Sequence, residues 1–344
     1  MENTFHIQWH ITDRCNLRCL HCYQDSFSSK SELPLSSLEK IFSNMVDFVE
    51  KRRQKLVIDI TGGEPFLYND WATLVSLIYK HPQVKKTGII TNGFFLNERN
   101  IKLLENFKNL TLKISAEGMN KQIFELFRGK GTYDEFLYIC EHLKNALPKE
   151  KILMFTLTKE NVKNVPYLFD FIKDYNFSAF VLERFIPWGR GRKILESIIS
   201  LPDWLYIINV LCEICKVEKD MDSLLPYRGF MVKLDNKGKY NLFGAPCIIG
   251  IDGIAVMPDG SVYPCRRFPV NIGNLLQNKL EDIWEKSDVL EKLRIYPLKG
   301  KCKNCKITHC RGCRALAYSI TGDFMEEDIM CPLTKGGWEN GYDA

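Results

Sequence analysis

The chain has no apolar run of 18 residues or more, and so offers no helix able to span a bilayer. It has no basic block: 47 Lys and Arg stand against 42 Asp and Glu, both signs are spread along the chain, and the formal net charge is +5. That balance argues against a dedicated nucleic-acid binder. It has no signal peptide, because Met1-Glu2-Asn3-Thr4 runs straight into strand-like sequence. With hydrophobic residues at 45% and charged residues at 26%, disorder, collagen and coiled coil are excluded as well. The 344 residues suffice for two domains, or three, with a real core. What the sequence has in excess is cysteine, 13 in all. Without a secretory signal, so many thiols read as metal ligands rather than disulfides.

Three of them, Cys15, Cys19 and Cys22, fall within eight residues near the start, and seven fall in the last 98 residues: Cys247, Cys265, Cys302, Cys305, Cys310, Cys313 and Cys331. Cys140, Cys212 and Cys215 lie between, in apolar helical runs that predict buried thiols. This is the pattern of two cysteine-bearing sites joined by a cysteine-poor body.

In that body, apolar β-branched runs predict strands near 5–12, 55–60, 85–91, 110–115, 151–157 and 178–185. Amphipathic stretches at 35–53, 70–80, 97–108, 133–146 and 163–174 predict helices. Strand–helix alternation implies a parallel sheet. Each of the six strands is followed by polar, small or metal-binding residues, as on the C-terminal face of a βα-barrel. Six units rather than eight predict an α/β fold built as a partial (β/α)6 TIM-like barrel, open on one side.

Cys15-x3-Cys19-x2-Cys22 offers three thiolates on the loop after the first strand. Four-iron clusters take one Cys per iron, so three ligands leave one iron open. A structural zinc would need a fourth ligand, and His21, the local candidate, is expected to point away. With the aromatic Tyr23 next in line, this segment resembles the signature of the radical S-adenosylmethionine (SAM) enzymes, and the similarity runs from residue 5 to about 192. Gly62-Gly63-Glu64-Pro65 resembles that family's "GGE" segment, which holds the SAM methionine amino group. Ser115 and Glu117 match its ribose-contacting segment after strand four, with Glu117 where Asp is usual. Arg128 resembles the arginine that contacts the SAM carboxylate, and Asn92 lies where a polar residue often flanks the cofactor. The resemblance implies that Glu64 pairs with the ammonium, Arg128 with the carboxylate and Ser115 with a ribose hydroxyl. It also implies reductive cleavage of SAM to a 5′-deoxyadenosyl radical, chemistry the cofactor carries while the protein binds, orients and excludes water.

The later cysteines resemble the SPASM extension, which holds two auxiliary four-iron clusters in radical SAM enzymes that modify peptides and proteins. The resemblance assigns Cys302, Cys305, Cys310 and Cys331 to the outer cluster and Cys247, Cys265 and Cys313 to the inner one, for three [4Fe-4S] clusters in all. Asp259-Gly260 is a hairpin signal that would bring Cys247 and Cys265 together. The spacing within 302–313 departs from the commonest form, and Asp252-Gly253 stands where some members carry a further cysteine. The inner cluster is therefore expected either to have an open iron or to be closed by Asp252 or another group. A zinc ribbon is the alternative for 302–313.

Arg184, Arg190 and Arg192 follow strand six and are candidates to clamp substrate carboxylates, against a plain basic loop. His6 and His10 alternate on the first strand, where a substrate-side role stands against a satisfied core one. The expected domains are a radical SAM partial barrel over 1–200, a helical bridge over 201–246 and a cysteine-rich α+β SPASM domain over 247–344. The expected activity is oxidoreductase chemistry, hydrogen abstraction from an unactivated C–H of a peptide or protein side chain, ending in a crosslink, thioether, oxidation or epimerisation. Tetrapyrrole or other cofactor side-chain modification is an alternative. Sulfatase-type maturation is another, though that group carries Asp where Arg266 stands; a non-catalytic zinc-binding interaction protein is a fourth. With strand one beginning near residue 5, no leader-binding domain fits ahead of the barrel, so a separate leader-binding protein or leader-free recognition is expected. A flavodoxin or ferredoxin reductant and an oxygen-poor cytoplasm complete the expectation, with no nucleic acid and no membrane partner.

Overall fold

The computed structural model describes residues 3–146, 148–218, 224, 227–307 and 310–331. Its frame is six parallel strands in chain order: β1 (Thr4–His10), β2 (Lys55–Thr61), β3 (Val84–Thr91), β4 (Thr111–Ala116), β5 (Glu150–Leu157) and β6 (Ala179–Arg184). This is the expected partial barrel, with strand ends within one residue of those predicted, apart from β1, which stops two residues early at His10. Phe5, Ile7 and Trp9 of β1 are buried on the helix side, where the Phe5 ring meets Phe48 of helix α1 (Leu35–Lys51) edge to face. The alternate residues His6 and Gln8 line the interior, as β pleating requires.

Four further helices pack in sequence order: α2 (Trp71–Lys80), α3 (Glu98–Leu104), α4 (Lys121–Arg128) and α5 (Thr132–Leu143). Helix α4 has no counterpart among the predicted elements. It starts where the Asn120 side chain accepts from the Ile123 amide at 3.0 Å, stops at Gly129 (φ +103), and places Arg128 under the barrel mouth. After α6 (Tyr167–Asp174) and β6 comes α7 (Leu201–Cys215), opened by a capping box between Ser200 and Asp203.

The expected helical bridge over 201–246 is helical only in this first part. Residues beyond it form an antiparallel hairpin, β7 (Tyr227–Leu234) and β8 (Tyr240–Pro246), with β7 paired to β6. The Asp235 carboxylate accepts from the amides of Lys237 and Lys239, both at 2.9 Å, and Gly238 takes φ +77, which together make the turn. On the opposite edge, β9 (Gly253–Val256) pairs in parallel with β1, and β10 (Ser261–Tyr263) returns antiparallel beside it, the hairpin that Asp259-Gly260 predicts. With β11 (Gly273–Asn274) the result is one sheet of eleven strands, ordered 11-10-9-1-2-3-4-5-6-7-8. The cysteine-rich region is thus stitched into the barrel sheet rather than set beside it. Among the described residues no single helix is long and apolar enough to cross a membrane.

A buried carboxylate fastens the last segment down. Asp328, 1% exposed, accepts from Arg184 Nη2 at 3.1 Å and the Cys313 amide at 2.8 Å, and lies 3.5 Å from Arg228 Nη1. Burial would raise its pKa, but the two guanidiniums hold it well below the usual carboxylate range. Removing one member of a buried pair strands the others' charge. The substitution Asp328→Ala is therefore expected to destabilise the protein by about 3–5 kcal/mol, read as a lower midpoint in chemical denaturation; an unchanged midpoint contradicts the role given to Asp328.

Candidate functional site

The cysteine loop after β1 is held from two sides, and each side needs glycine. From β2, the Gly63 amide donates to Thr12 O at 2.9 Å and the Glu64 amide to Arg14 O at 2.7 Å. A Cβ on Gly62 would lie 2.3 Å from Thr12 O, and one on Gly63 2.3 Å from Arg14 O. From beyond β6, the Arg190 and Gly191 amides donate to Gln24 O and Cys22 O at 3.1 and 2.9 Å. Gly189 there takes φ +56, with room for no Cβ against Tyr23 O at 2.3 Å.

So supported, Cys15, Cys19 and Cys22 line one cavity of about 140 Å³, together with Tyr23, Gly62, Gly63, Asn92, Ser115, Glu117 and Arg128. Every residue that the sequence assigns to SAM borders it except Glu64, which stands just behind. The loop turns N–H groups toward sulfur: Leu17 N and Asn92 Nδ2 approach Cys15 Sγ at 3.4 and 3.7 Å, and Gln24 N approaches Cys22 Sγ at 3.4 Å. Those donors suit thiolates, the form that binds iron. Burial opposes that charge, pushing Cys19 up to about 12 and Cys22 to about 11. A coordinated iron would overcome the penalty by deprotonating the thiols outright, so that loading releases protons. Among the described residues no three or more His, Cys, Asp or Glu converge as a single-ion site; a four-iron cube instead spreads its thiolates, one per iron.

Behind the thiols, two carboxylates are buried in opposite states. Glu117 is paired with Arg128 through both oxygens, the longer contact from Nη2 being 3.2 Å, and His21 Nε2 lies 3.2 Å from it. Burial alone would raise its pKa, but Arg128 and His21 bring it down to about 2. Here one expectation is corrected: His21 does not turn away but lines the cavity, its Nε2 3.2 Å from Glu117. Glu117 and Arg128 both border the cavity and engage each other there. Glu64 accepts from Thr91 Oγ1 at 2.8 Å and from the Asn92 amide at 2.9 Å, bracing the loop after β3, and burial raises it to about 7. A carboxyl raised in the folded state holds its proton after the unfolded chain has lost its own. Its contribution is thus most favourable below about pH 4.5 and is lost as pH rises to about 7. The stability of wild type relative to Glu64→Gln should fall across that window; a difference flat in pH contradicts it.

Cys247, Cys265 and Cys313, assigned by resemblance to one cluster, line a second cavity of about 330 Å³. Arg228 lies against Cys247 and Cys313 and donates to Cys310 Sγ at 2.8 Å, so that one guanidinium spans both cysteine sets. Cys302 accepts from the Asp328 amide, and the Cys331 amide donates to Asp328 O at 2.9 Å, which gathers the outer set around one turn. Asp252, named as a substitute ligand, faces His6, and its Oδ1 has no hydrogen-bond partner among the described residues.

The three arginines after β6 are not brought together as a clamp. Arg184 is spent on Asp328, Arg190 donates to Cys19 O and Arg18 O at 3.3 and 3.1 Å, and Arg192 stacks over Trp188 at 3.7 Å. In their place Glu183, Arg266 and Arg267 border both cavities. Glu183 was legible as an inward position of β6; for the arginines, the nearness of Cys265 was the one signal. Cys140, Cys212 and Cys215 are buried.

Comparison with known proteins agrees with this layout. An AdoMet-dependent heme synthase of Methanosarcina barkeri is 29% identical over 96% of this chain and 97% of its own. The antilisterial bacteriocin subtilosin biosynthesis protein AlbA of Bacillus subtilis is 27% identical over 84% of this chain and 61% of its own. The fold superposes with a TM-score of 0.73 on Streptococcus suis SuiB bound to precursor peptide SuiA, at 17% identity, covering 96% of this chain and 76% of that one. Residues 9–172 match the family model of the Radical SAM superfamily, and residues 247–314 match that of SPASM, an iron-sulfur cluster-binding domain. The chain belongs to the radical SAM superfamily, as an enzyme whose cysteine-rich region is a SPASM domain.

Proposed function

We propose that this enzyme removes a hydrogen atom from a carboxylate-bearing side chain of a tetrapyrrole and so brings about its oxidation. The observation that carries the reading is the near end-to-end match with an AdoMet-dependent heme synthase, over 96% of this chain and 97% of that one. Consistent with it, two arginines border both cavities, where a propionate would need a cation.

Bound SAM with a reduced cluster supplies the hydrogen-abstracting chemistry. The chain's own part is to place it. Cys15, Cys19 and Cys22 hold the first cluster; the Gly62-Gly63 backbone and Ser115 border the SAM; Glu117 fixes Arg128 beside it, and Glu64 holds the Asn92 loop. Cys302, Cys305, Cys310 and Cys331 hold the outer auxiliary cluster, and Cys247, Cys265 and Cys313 the inner one. A peptide or protein side chain, as the SPASM resemblance implies, is the second reading. It is favoured by the 27% identity to AlbA, whose length this chain matches over 61%.

Anaerobic reconstitution should give about twelve irons per chain, and Cys19→Ala should abolish SAM cleavage to 5′-deoxyadenosine. The substrate test offers the reduced holoenzyme SAM with iron coproporphyrin III deuterated on its propionates. Deuterium in 5′-deoxyadenosine is the expected result. Deuterium transfer from a labelled peptide but none from the tetrapyrrole would move the assignment to the second reading.

A further inference from the structure

We infer that Arg266 is the residue that receives a substrate carboxylate, at the junction of the two cavities; the inference deepens the tetrapyrrole reading and rests on it. The local fold explains the placement. Cys265 and Phe268 form an antiparallel bridge, with the Phe268 amide donating to Cys265 O at 2.9 Å, and Phe268 is buried in the core. The two residues between them stand at the tip of this tight turn, facing the barrel mouth.

The two arginines there are not equivalent. Arg267 is already committed: Nη1 donates to Arg184 O at 3.1 Å, its guanidinium lies 3.6 Å from Glu183, and it hydrogen-bonds the Cys265 sulfur. Its charge therefore serves the cysteine site. For the Arg266 side chain the one hydrogen bond among the described residues runs from Nη2 to Glu183, at 2.6 Å. Glu183 anchors that single corner, and the other edge of the fork remains for a ligand. A guanidinium edge is the natural receptor for a carboxylate, which it can meet bidentately. The site is built rather than superficial. The Arg266 side chain is 10% exposed, and its guanidinium lies 5.9 Å from the Tyr23 ring, next to Cys22. The nearby carboxylate Glu117 is taken by Arg128, so Glu183 is the anion that Arg266 meets before substrate. A propionate held there would lie between the SAM-binding loop and the inner cysteines, where hydrogen abstraction has to occur.

The test titrates anaerobic holoenzyme with iron coproporphyrin III and, separately, with its uncharged tetra-amide, following the Soret band, in wild type, Arg266→Gln and Arg266→Lys at matched iron and sulfide content. Wild type should favour the acid. Arg266→Gln should weaken acid binding about ten- to hundredfold, as expected for a charged hydrogen bond, with the tetra-amide little affected, and Arg266→Lys should recover part of the loss. Acid binding unaltered in Arg266→Gln, or equal losses for acid and amide, overturns the inference while leaving the tetrapyrrole reading in place. Failure of wild type to bind iron coproporphyrin III overturns that reading, and the inference with it.

Discussion

The arrangement of the cysteine sites depends on one buried anion. Asp328 accepts from the Cys313 amide, gives its own amide to Cys302, and faces Arg184 at the end of β6 and Arg228 on β7. Through it the inner cysteines, the outer cysteines and the barrel share one fixed point. Two arginines on a single carboxylate leave a positive excess, and Arg228 directs it at Cys310, Cys247 and Cys313. An iron–sulfur cluster in that pocket brings net negative charge, so the excess suits the ligand rather than the empty protein. A cluster bound there would couple electrostatically to the docking of the C-terminal region.

The first site follows the same logic with the charges reversed in order. Glu117 neutralises Arg128 inside the barrel, which lets a guanidinium stay buried beside three thiols. Glu64, with no ion-pair partner among the described residues, carries the burial penalty instead and is raised to about 7.

Much of this was legible before any coordinates. The six strands were found because each is a β-branched run, and the SAM-side residues because they recur at strand ends. Helix α4 escaped because Lys121–Arg128 is short. The β7–β8 hairpin is not legible as a hairpin because its turn, Asp235 to Gly238, sits inside the stretch whose expected form is a helical bridge. The arginines were the instructive failure. Arg184 follows a strand end like a functional residue, but its partner lies 144 positions away, and no local pattern encodes a long-range ion pair. In the sequence Arg266 stands out only as the replacement for an aspartate, since the turn that aims it is a tertiary feature.

The pairing of β9 with β1 bears on how the molecule is made. His6 aligns with Gly253, so one edge of the first strand stays unsatisfied until the chain has been made past residue 253. The loop bearing Cys15, Cys19 and Cys22 hangs from that strand. During synthesis the chain therefore carries a half-paired edge beside three accessible thiols, a state prone to aggregation and to oxidation. Such long-range closure is slow, so the open edge and the thiol loop that hangs from it stay exposed together until the last strands pair.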